Sequence, residues 1–303
     1  MNSLDQQTLS FSPAVALIFQ CILAIIIFGV SLELSFSDFR RLLSAPRPVI
    51  AALTSQLIAL PLLTFALIWV MDPLPSLALG MMMTAACPGG NMSNVLTHWS
   101  GGRTTVSMSA TAISSLISPI ITPLTFQLLG TLHPTTQEAM HQIRVPAGEL
   151  VMTILVALVL PLIAGMTLTQ FQPKIAARIQ KPLRKFGLVA FVFFLIAASA
   201  SNAGLFINVL GALFSLVALH NLLALACGYS FATLFRVRED ERRAITFETG
   251  IHNTALGLTL ILTYFQNIGG MALLVGWWGV WQLLTGGLIA RWWSKKSPRK
   301  IAA

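Results

Sequence analysis

The residues most able to do chemistry are a carboxylate, an imidazole and an amide: Glu248, His252 and Asn253, set in F-E-T-G-I-H-N-T-A-L-G from Phe247 to Gly257. The flanking sequence is apolar enough to cross a bilayer, where an ionisable side chain is expensive and marks a functional site by default. A second irregular stretch, A-A-C-P-G-G-N-M-S-N from Ala85 to Asn94, interrupts another apolar run and gathers Asn91, Ser93 and Asn94. Glu248, Asn94, Ser93, Ser107, Thr111 and Gln56 together offer one carboxylate and several neutral oxygens. Such ligands suit a hard cation such as Na+ and are poor for thiophilic metals. Helices restarting near Ser93 and near Asn253 would also turn unbonded N–H groups and positive dipole ends toward the same place, and these favour an anion. The chemistry to be positioned is joint capture of an alkali cation and an anionic guest.

Positioning falls to membrane-spanning helices. Of the 303 residues 55% are hydrophobic and 10% charged, and apolar runs recur at the ~20-residue length that a hydrocarbon core of ~30 Å requires. The sequence predicts an all-α polytopic membrane protein with spans near residues 12–34, 48–70, 75–99, 103–130, 146–169, 187–204, 207–235, 243–265 and 268–292. A net charge of +9 would fit a nucleic-acid binder if the basic residues formed a patch, but they sort by membrane side instead. With the N-terminus outside and the C-terminus inside, every Lys and Arg except Arg144 falls in an inner loop or the inner tail. The expected partners are therefore a lipid bilayer, sodium and a small organic anion, and not nucleic acid. The N-terminal segment has no basic region, so the first apolar run is expected to stay as a span, with Glu33 at its inner interface. Cys21, Cys87 and Cys227 all fall in apolar spans and are expected to pack as small hydrophobes.

The third span should break where Pro88 removes a backbone donor and Gly89 and Gly90 tolerate conformations closed to a helix. Its first half is about 12 residues, or ~18 Å at 1.5 Å per residue, which sets the break near the middle of the bilayer. Non-helical backbone at that depth is allowed only when buried in protein or lining a watery cavity. The eighth span should break after Gly250 in the same manner. In the fourth span Ser107, Thr111, Ser114, Ser115 and Ser118 share one helix face, expected to pack against the first break. Gln56 in the second span and His220 with Asn221 in the seventh are further polar residues in apolar surroundings. Outside the spans, the loop from Leu132 to Pro146 with His133, Glu138, His141 and Arg144 reads as solvated. The inner segment 170–185 reads as a basic amphipathic stretch on the membrane surface, and R-V-R-E-D-E-R-R at 236–243 as a solvated turn.

The order of features repeats. Spans one to four and spans six to nine each give a plain helix, a helix with polar residues, a broken helix and a closing helix. The first broken helix, 75–99, enters from outside and the second, 243–265, from inside. Residues 1–130 and 131–303 are thus expected to be inverted repeats, with span five leading the second. Paired discontinuous helices in inverted halves place a transport site at their interface.

At these residues the chain resembles the bile acid:sodium symporter family and its bacterial members. The resemblance rests on F-G-V-S-L-E-L-S-F-S-D-F, S-Q-L-I-A-L-P, C-P-G-G-N-M-S-N-V, L-I-S-P-I-I-T-P, L-H-N and F-E-T-G-I-H-N-T-A-L, and so covers nearly the whole chain. It implies a panel domain beside a core domain in which two broken helices cross, in a nine-helix arrangement. It also implies an integral protein of a bacterial inner membrane that moves an organic anion with sodium by alternating access. The anion would be bile acid-like or a small carboxylate such as pantoate. A first sodium site is implied at Ser93, Asn94, Ser107, Thr111 and Glu248. A second is implied at Gln56, Glu248, the carbonyls around Thr249 and Ile251, and the side chain at position 252. The family pattern has Gln there and this chain has His252, whose neutral imidazole is a poorer sodium ligand than an amide oxygen. Substrate contacts are implied at Asn91 and Asn253.

Two other readings compete. His252 has an unperturbed pKa of about 6.5 and titrates near neutrality, so a carrier of the same anion could be coupled to protons. Cys87 and His252, brought together by crossing breaks, would be a nucleophile and base for an intramembrane enzyme. No third orienting group is evident for that pair, and the expectation is a transporter that is not an enzyme and whose only ion is the coupling sodium.

Overall fold

A computed structural model of the chain describes residues 13–32, 46–142, 147–201, 203–265 and 268–296. Apart from isolated backbone bridges, the described residues form helices and their connections only. In chain order these are α1 (Pro13–Ser31), α2 (Pro46–Met71), α3 (Pro75–Ala86), α4 (Asn91–Trp99), α5 (Thr104–Leu132), α6 (Pro134–Gln142), α7 (147–171), α8 (Pro173–Ser201), α9 (Ala203–Leu234), α10 (Glu239–Gly250), α11 (Thr254–Tyr264) and α12 (Gly269–Lys296). Pro46–Met71, Thr104–Leu132, Gly148–Phe171, Leu213–Leu234 and Gly269–Lys296 are each long and apolar enough to cross a membrane, and Gln20–Gly29, Pro75–Ala86 and Thr254–Tyr264 are shorter apolar helices. The protein is an integral membrane protein.

The interior holds a large apolar cluster that includes Leu60, Met81, Phe126 and Trp278, but the packing of α5 is inverted relative to a helix of a soluble domain. On α5 the apolar residues Ile120, Leu124 and Leu128 are exposed at four-residue spacing, while Ser107, Thr111, Ser114, Ser115, Ser118 and Thr122 are buried on the other face. Lipid offers no hydrophobic penalty to the first set, so the small polar face goes inward, where backbones approach closely and hydroxyls find partners. Pro119 cannot donate to the Ser115 carbonyl, and the Ser118 hydroxyl takes that place at 2.8 Å. A wide turn at Ser55–Ala59 precedes Pro61 in α2 and leaves the Leu60 N–H bonded to the Ser55 carbonyl; a similar turn at Leu155–Val159 precedes Pro161 in α7. Such π turns often accompany functional positions, and the first one holds Gln56.

Both predicted breaks are present. The first separates α3 from α4 at Cys87–Gly90, and helix resumes at Asn91, two residues before Ser93. The second separates α10 from α11 at Ile251–Asn253. The two interruptions cross as an antiparallel bridge between Gly89 and His252. The Gly90 N–H donates to the Ile251 carbonyl at 2.8 Å and the Asn253 N–H to the Pro88 carbonyl at 2.9 Å. Each break thereby satisfies backbone groups that the other's missing helical turn leaves open. Neither Gly89 nor Gly90 is in the left-handed region. Their role is closeness rather than conformation: a Cβ on Gly90 would lie 2.6 Å from the His252 carbonyl oxygen, and one on Gly89 would run into the Glu248 carboxylate. The G-G-R turn after α4 does need a left-handed glycine, since Gly101 has φ +74°.

Two peripheral expectations are corrected. The segment after Leu132 is not a solvated loop: α6 occupies most of it, and His133 is buried against Phe65 and Trp69, with ring centroids at 5.7 and 4.6 Å. Arg144 and the side chain of His141 lie outside the described residues, as do Glu33, Asp38, Arg40 and Arg41. The basic segment at 170–185 runs from the end of α7 through Gln172 into α8, the helix that continues as the sixth span and carries Pro182 within it. The charge run at 236–243 is not simply a solvated turn, because Glu241 and Arg243 are buried. Arg103 meets Glu241 at 2.6 Å, and the Arg103 N–H donates to the Asp240 carbonyl at 2.8 Å. Arg243 donates to the Ser100 carbonyl at 2.6 Å and to that of Trp293 at 3.4 Å. Burial pushes the Asp240 carboxyl up, but the bond and charge of Arg238, together with the charge of Arg103, hold it below its ordinary value. These contacts tie the start of α10 to the α4–α5 turn and the end of α12.

Gly90→Ala is expected to lower stability by about 1–3 kcal/mol through overpacking of the crossing. Gly148→Ala, where a new Cβ would meet nothing within 4 Å, is expected to stay within about 0.5 kcal/mol of the parent. Thermal unfolding of the two variants in detergent checks the contrast.

Candidate functional site at the helix crossing

Glu248 is the third residue from the end of α10, just before Gly250 and the break. Its side chain is wholly buried, so its oxygens need partners or the carboxylate would be prohibitively costly. They find them on α4 and α5. Ser93 Oγ donates to Glu248 Oε2 at 2.6 Å and Ser107 Oγ to the same oxygen at 3.0 Å. Thr111 Oγ1 lies 2.8 Å from Oε1 and 2.9 Å from Oε2. Asn94 Oδ1 accepts from Ser107 at 2.7 Å and from Thr111 at 3.3 Å. Ser93, Asn94, Ser107, Thr111 and Glu248 thus meet at one point, although Glu248 is more than 130 residues along the chain from the nearest of the others. One carboxylate, one amide oxygen and three hydroxyls converge there. In this geometry the hydroxyls donate to the carboxylate, and rotation about their C–O bonds would turn their lone pairs toward a cation.

Of the second predicted set, Gln56 and Glu248 meet at the crossing, and the other members also have partners of their own. Gln56 Nε2 donates to the Glu248 carbonyl at 3.2 Å, whereas Gln56 Oε1 is buried without a hydrogen-bond partner. Thr249 pairs with Ser55 through their hydroxyls at 2.7 Å, and the Ile251 carbonyl takes the Gly90 N–H. The His252 ring sits against Trp278, centroids 6.0 Å apart, with both ring nitrogens buried and unpartnered. Of the two positions expected to contact substrate, Asn253 caps α11 by accepting from the Leu256 N–H at 3.1 Å, and Asn91 opens α4 in a half-buried position.

Further side chains position the breaks in ways that their place in the sequence does not reveal. Thr122 donates to the Ala86 carbonyl at the end of α3, 2.8 Å. Asn221 donates to the Gly250 carbonyl at 2.9 Å and accepts from Thr285 at 2.6 Å. Gln282 receives the His252 N–H at 2.8 Å and donates to the His252 carbonyl at 3.1 Å. The His220 and Asn221 pair was visible as a polar doublet, but its separate uses were not: His220 Nε2 bonds Thr64 at 2.7 Å, while Asn221 holds the break. Cys87 is buried next to Gly257 of α11, where a Cβ would approach its Sγ at 3.3 Å. Cys227 is buried too, whereas Cys21 is exposed.

The profile of the Sodium Bile acid symporter family matches residues 20–209. The chain is 32% identical over 286 residues to "Uncharacterized sodium-dependent transporter YocS" of Bacillus subtilis (strain 168), covering 92% of this chain and 84% of that protein. It is 30% identical over 275 residues to "Probable sodium/metabolite cotransporter BASS2, chloroplastic" of Oryza sativa subsp. japonica, covering 84% of this chain and 62% of that protein. It is 27% identical over 237 residues to "P3 protein" of Mus musculus, covering 77% of this chain and 48% of that protein. The enzymatic reading of Cys87 and His252 falls with these relationships. The chain is a transporter and belongs to the sodium bile acid symporter family.

Proposed function

We propose that the chain is a sodium-coupled symporter of an organic anion, bile acid-like or a small carboxylate such as pantoate, working by alternating access. The observation that carries this reading is the buried Glu248 carboxylate held by hydroxyls of α4 and α5. Sodium at Ser93, Asn94, Ser107, Thr111 and Glu248 neutralises the carboxylate and ties the two breaks together. An anion then gains from the neighbouring helix starts at Asn91 and Thr254, with Asn91 and Asn253 contacting it. Because Asn253 Oδ1 serves as the α11 cap, its Nδ2 group is the part that would meet the anion. In this reading residues 1–130 and 131–303 are inverted repeats, which the antiparallel crossing supports. The protein sits in a bacterial inner membrane with its N-terminus outside and its C-terminus in the cytoplasm. Gln56 Oε1, buried and unpartnered, is a natural oxygen for a second sodium with Glu248, Thr249 and Ile251, while His252 contributes little to that ion.

A second reading keeps the anion and replaces sodium by a proton on His252. The observation favouring it is the pair of buried, unpartnered ring nitrogens. The first reading is preferred because the carboxylate and its oxygen partners meet at one point, whereas the imidazole lies against Trp278.

Raising sodium at constant ionic strength against potassium is expected to raise the unfolding temperature, since a ligand that binds the native state stabilises it. Glu248→Gln should abolish that response, and Thr111→Val should raise the half-saturating sodium concentration about tenfold, equivalent to ~1.4 kcal/mol; an unchanged response in both variants removes the proposed site. Uptake into proteoliposomes, screened with labelled carboxylates, should require an inward sodium gradient. His252→Gln should lower the sodium requirement and leave the pH profile between about 5.5 and 8 unaltered, whereas the proton reading requires that profile to collapse.

A further inference from the structure

We infer that Gln282 is a positioning residue for cation capture, acting through the unwound backbone of the second break. The inference rests on the sodium reading above. The Ile251 N–H keeps its helical bond to the Phe247 carbonyl at 2.9 Å, and the His252 carbonyl receives the Thr254 N–H at 2.9 Å, but the His252 N–H has no helical partner and its order depends on a group supplied from elsewhere. Gln282, buried in the middle of α12, takes the His252 N–H at 2.8 Å and gives an N–H to the His252 carbonyl at 3.1 Å. Its Oε1 also receives Trp278 Nε1 at 3.0 Å. One side-chain amide thereby holds both faces of one residue's backbone, as a neighbouring strand would, while the tryptophan fixes the amide's orientation. Only a group that both donates and accepts can do this.

The hold bears directly on the carboxylate. His252 faces Gly89 across the antiparallel bridge, and Gly89 packs so closely on Glu248 that a methyl group there would overlap its Oε1. Thr285, one turn beyond Gln282 on α12, acts on the same break through Asn221 and the Gly250 carbonyl. Residues 250 and 252 are therefore both fixed from α12, on either side of Ile251, whose carbonyl closes the crossing with Gly90. Loss of the Gln282 clamp lets the crossing relax and the carboxylate drift from Ser93, Ser107 and Thr111. Groups that orient the ligands of a metal ion without touching it commonly set its affinity by 10–100-fold.

The test uses the full-length protein in detergent and sodium alone as the probe. Unfolding temperatures are measured over a sodium series balanced with potassium for the parent, Gln282→Met and Gln282→Glu. The ionised glutamate keeps both accepted bonds, loses the one donated to the His252 carbonyl and sets a carboxylate oxygen against that carbonyl. Both variants are expected to raise the half-saturating sodium concentration by at least about tenfold, with methionine the larger, and in a larger proportion than they lower the unfolding temperature in potassium alone. Variants that unfold earlier in both salts with unchanged half-saturation assign Gln282 a purely structural role and overturn the proposal. Failure of both variants to fold in potassium overturns it as well. A parent protein with no sodium response contradicts instead the sodium reading on which the inference rests.

Discussion

A carboxylate with no access to water must be held by something, and in this molecule the holders come from the opposite half of the chain. Glu248 ends a short helix; Ser93, Ser107 and Thr111 sit on the helices that follow the other break. Much of the remaining architecture serves that meeting. The breaks must cross closely, which excludes a Cβ at Gly89 and Gly90. Unwound backbone must find partners without water, and much of it does, through the opposing break and through Gln56, Thr122, Asn221 and Gln282.

The ends of the two broken helices are secured by a different kind of contact. Arg103, Glu241 and Arg243 join the α4–α5 turn, the start of α10 and the end of α12. Glu241 and Arg243 are buried while Arg103 is exposed; a buried charge contributes modestly to net stability yet is costly to unpair, so these contacts define which ends belong together. The crossing and this ion-pair cluster fix α10 at both of its termini, leaving Glu248 little freedom between them.

The long apolar runs made the spans legible, and Pro88, Gly89, Gly90 and Gly250 exposed the breaks, because residues that weaken helices are conspicuous inside helices that must span lipid. Glu248, Ser93 and Thr111 stood out since polar groups in such runs need a reason. The rest was hidden for physical causes. Gln282 bonds to backbone thirty residues away, and nothing in the Trp-rich sequence around it distinguishes it from an interfacial amide. Arg243 and Glu241 sit in a run whose composition is that of a solvated turn, and only tertiary packing buries them. His133 was placed in water by its polar neighbours, while Phe65 and Trp69, far earlier in the chain, enclose it.

On the proposed function, the two breaks together make a selective seat for an alkali ion at Glu248. Direct binding of radioactive sodium to the purified protein at equilibrium tests it without knowledge of the anion. The account predicts saturable binding that excess potassium does not displace and that disappears when Ser93 and Thr111 are both replaced by alanine and valine, respectively. Binding that is absent, that potassium competes away, or that survives this double replacement would contradict it.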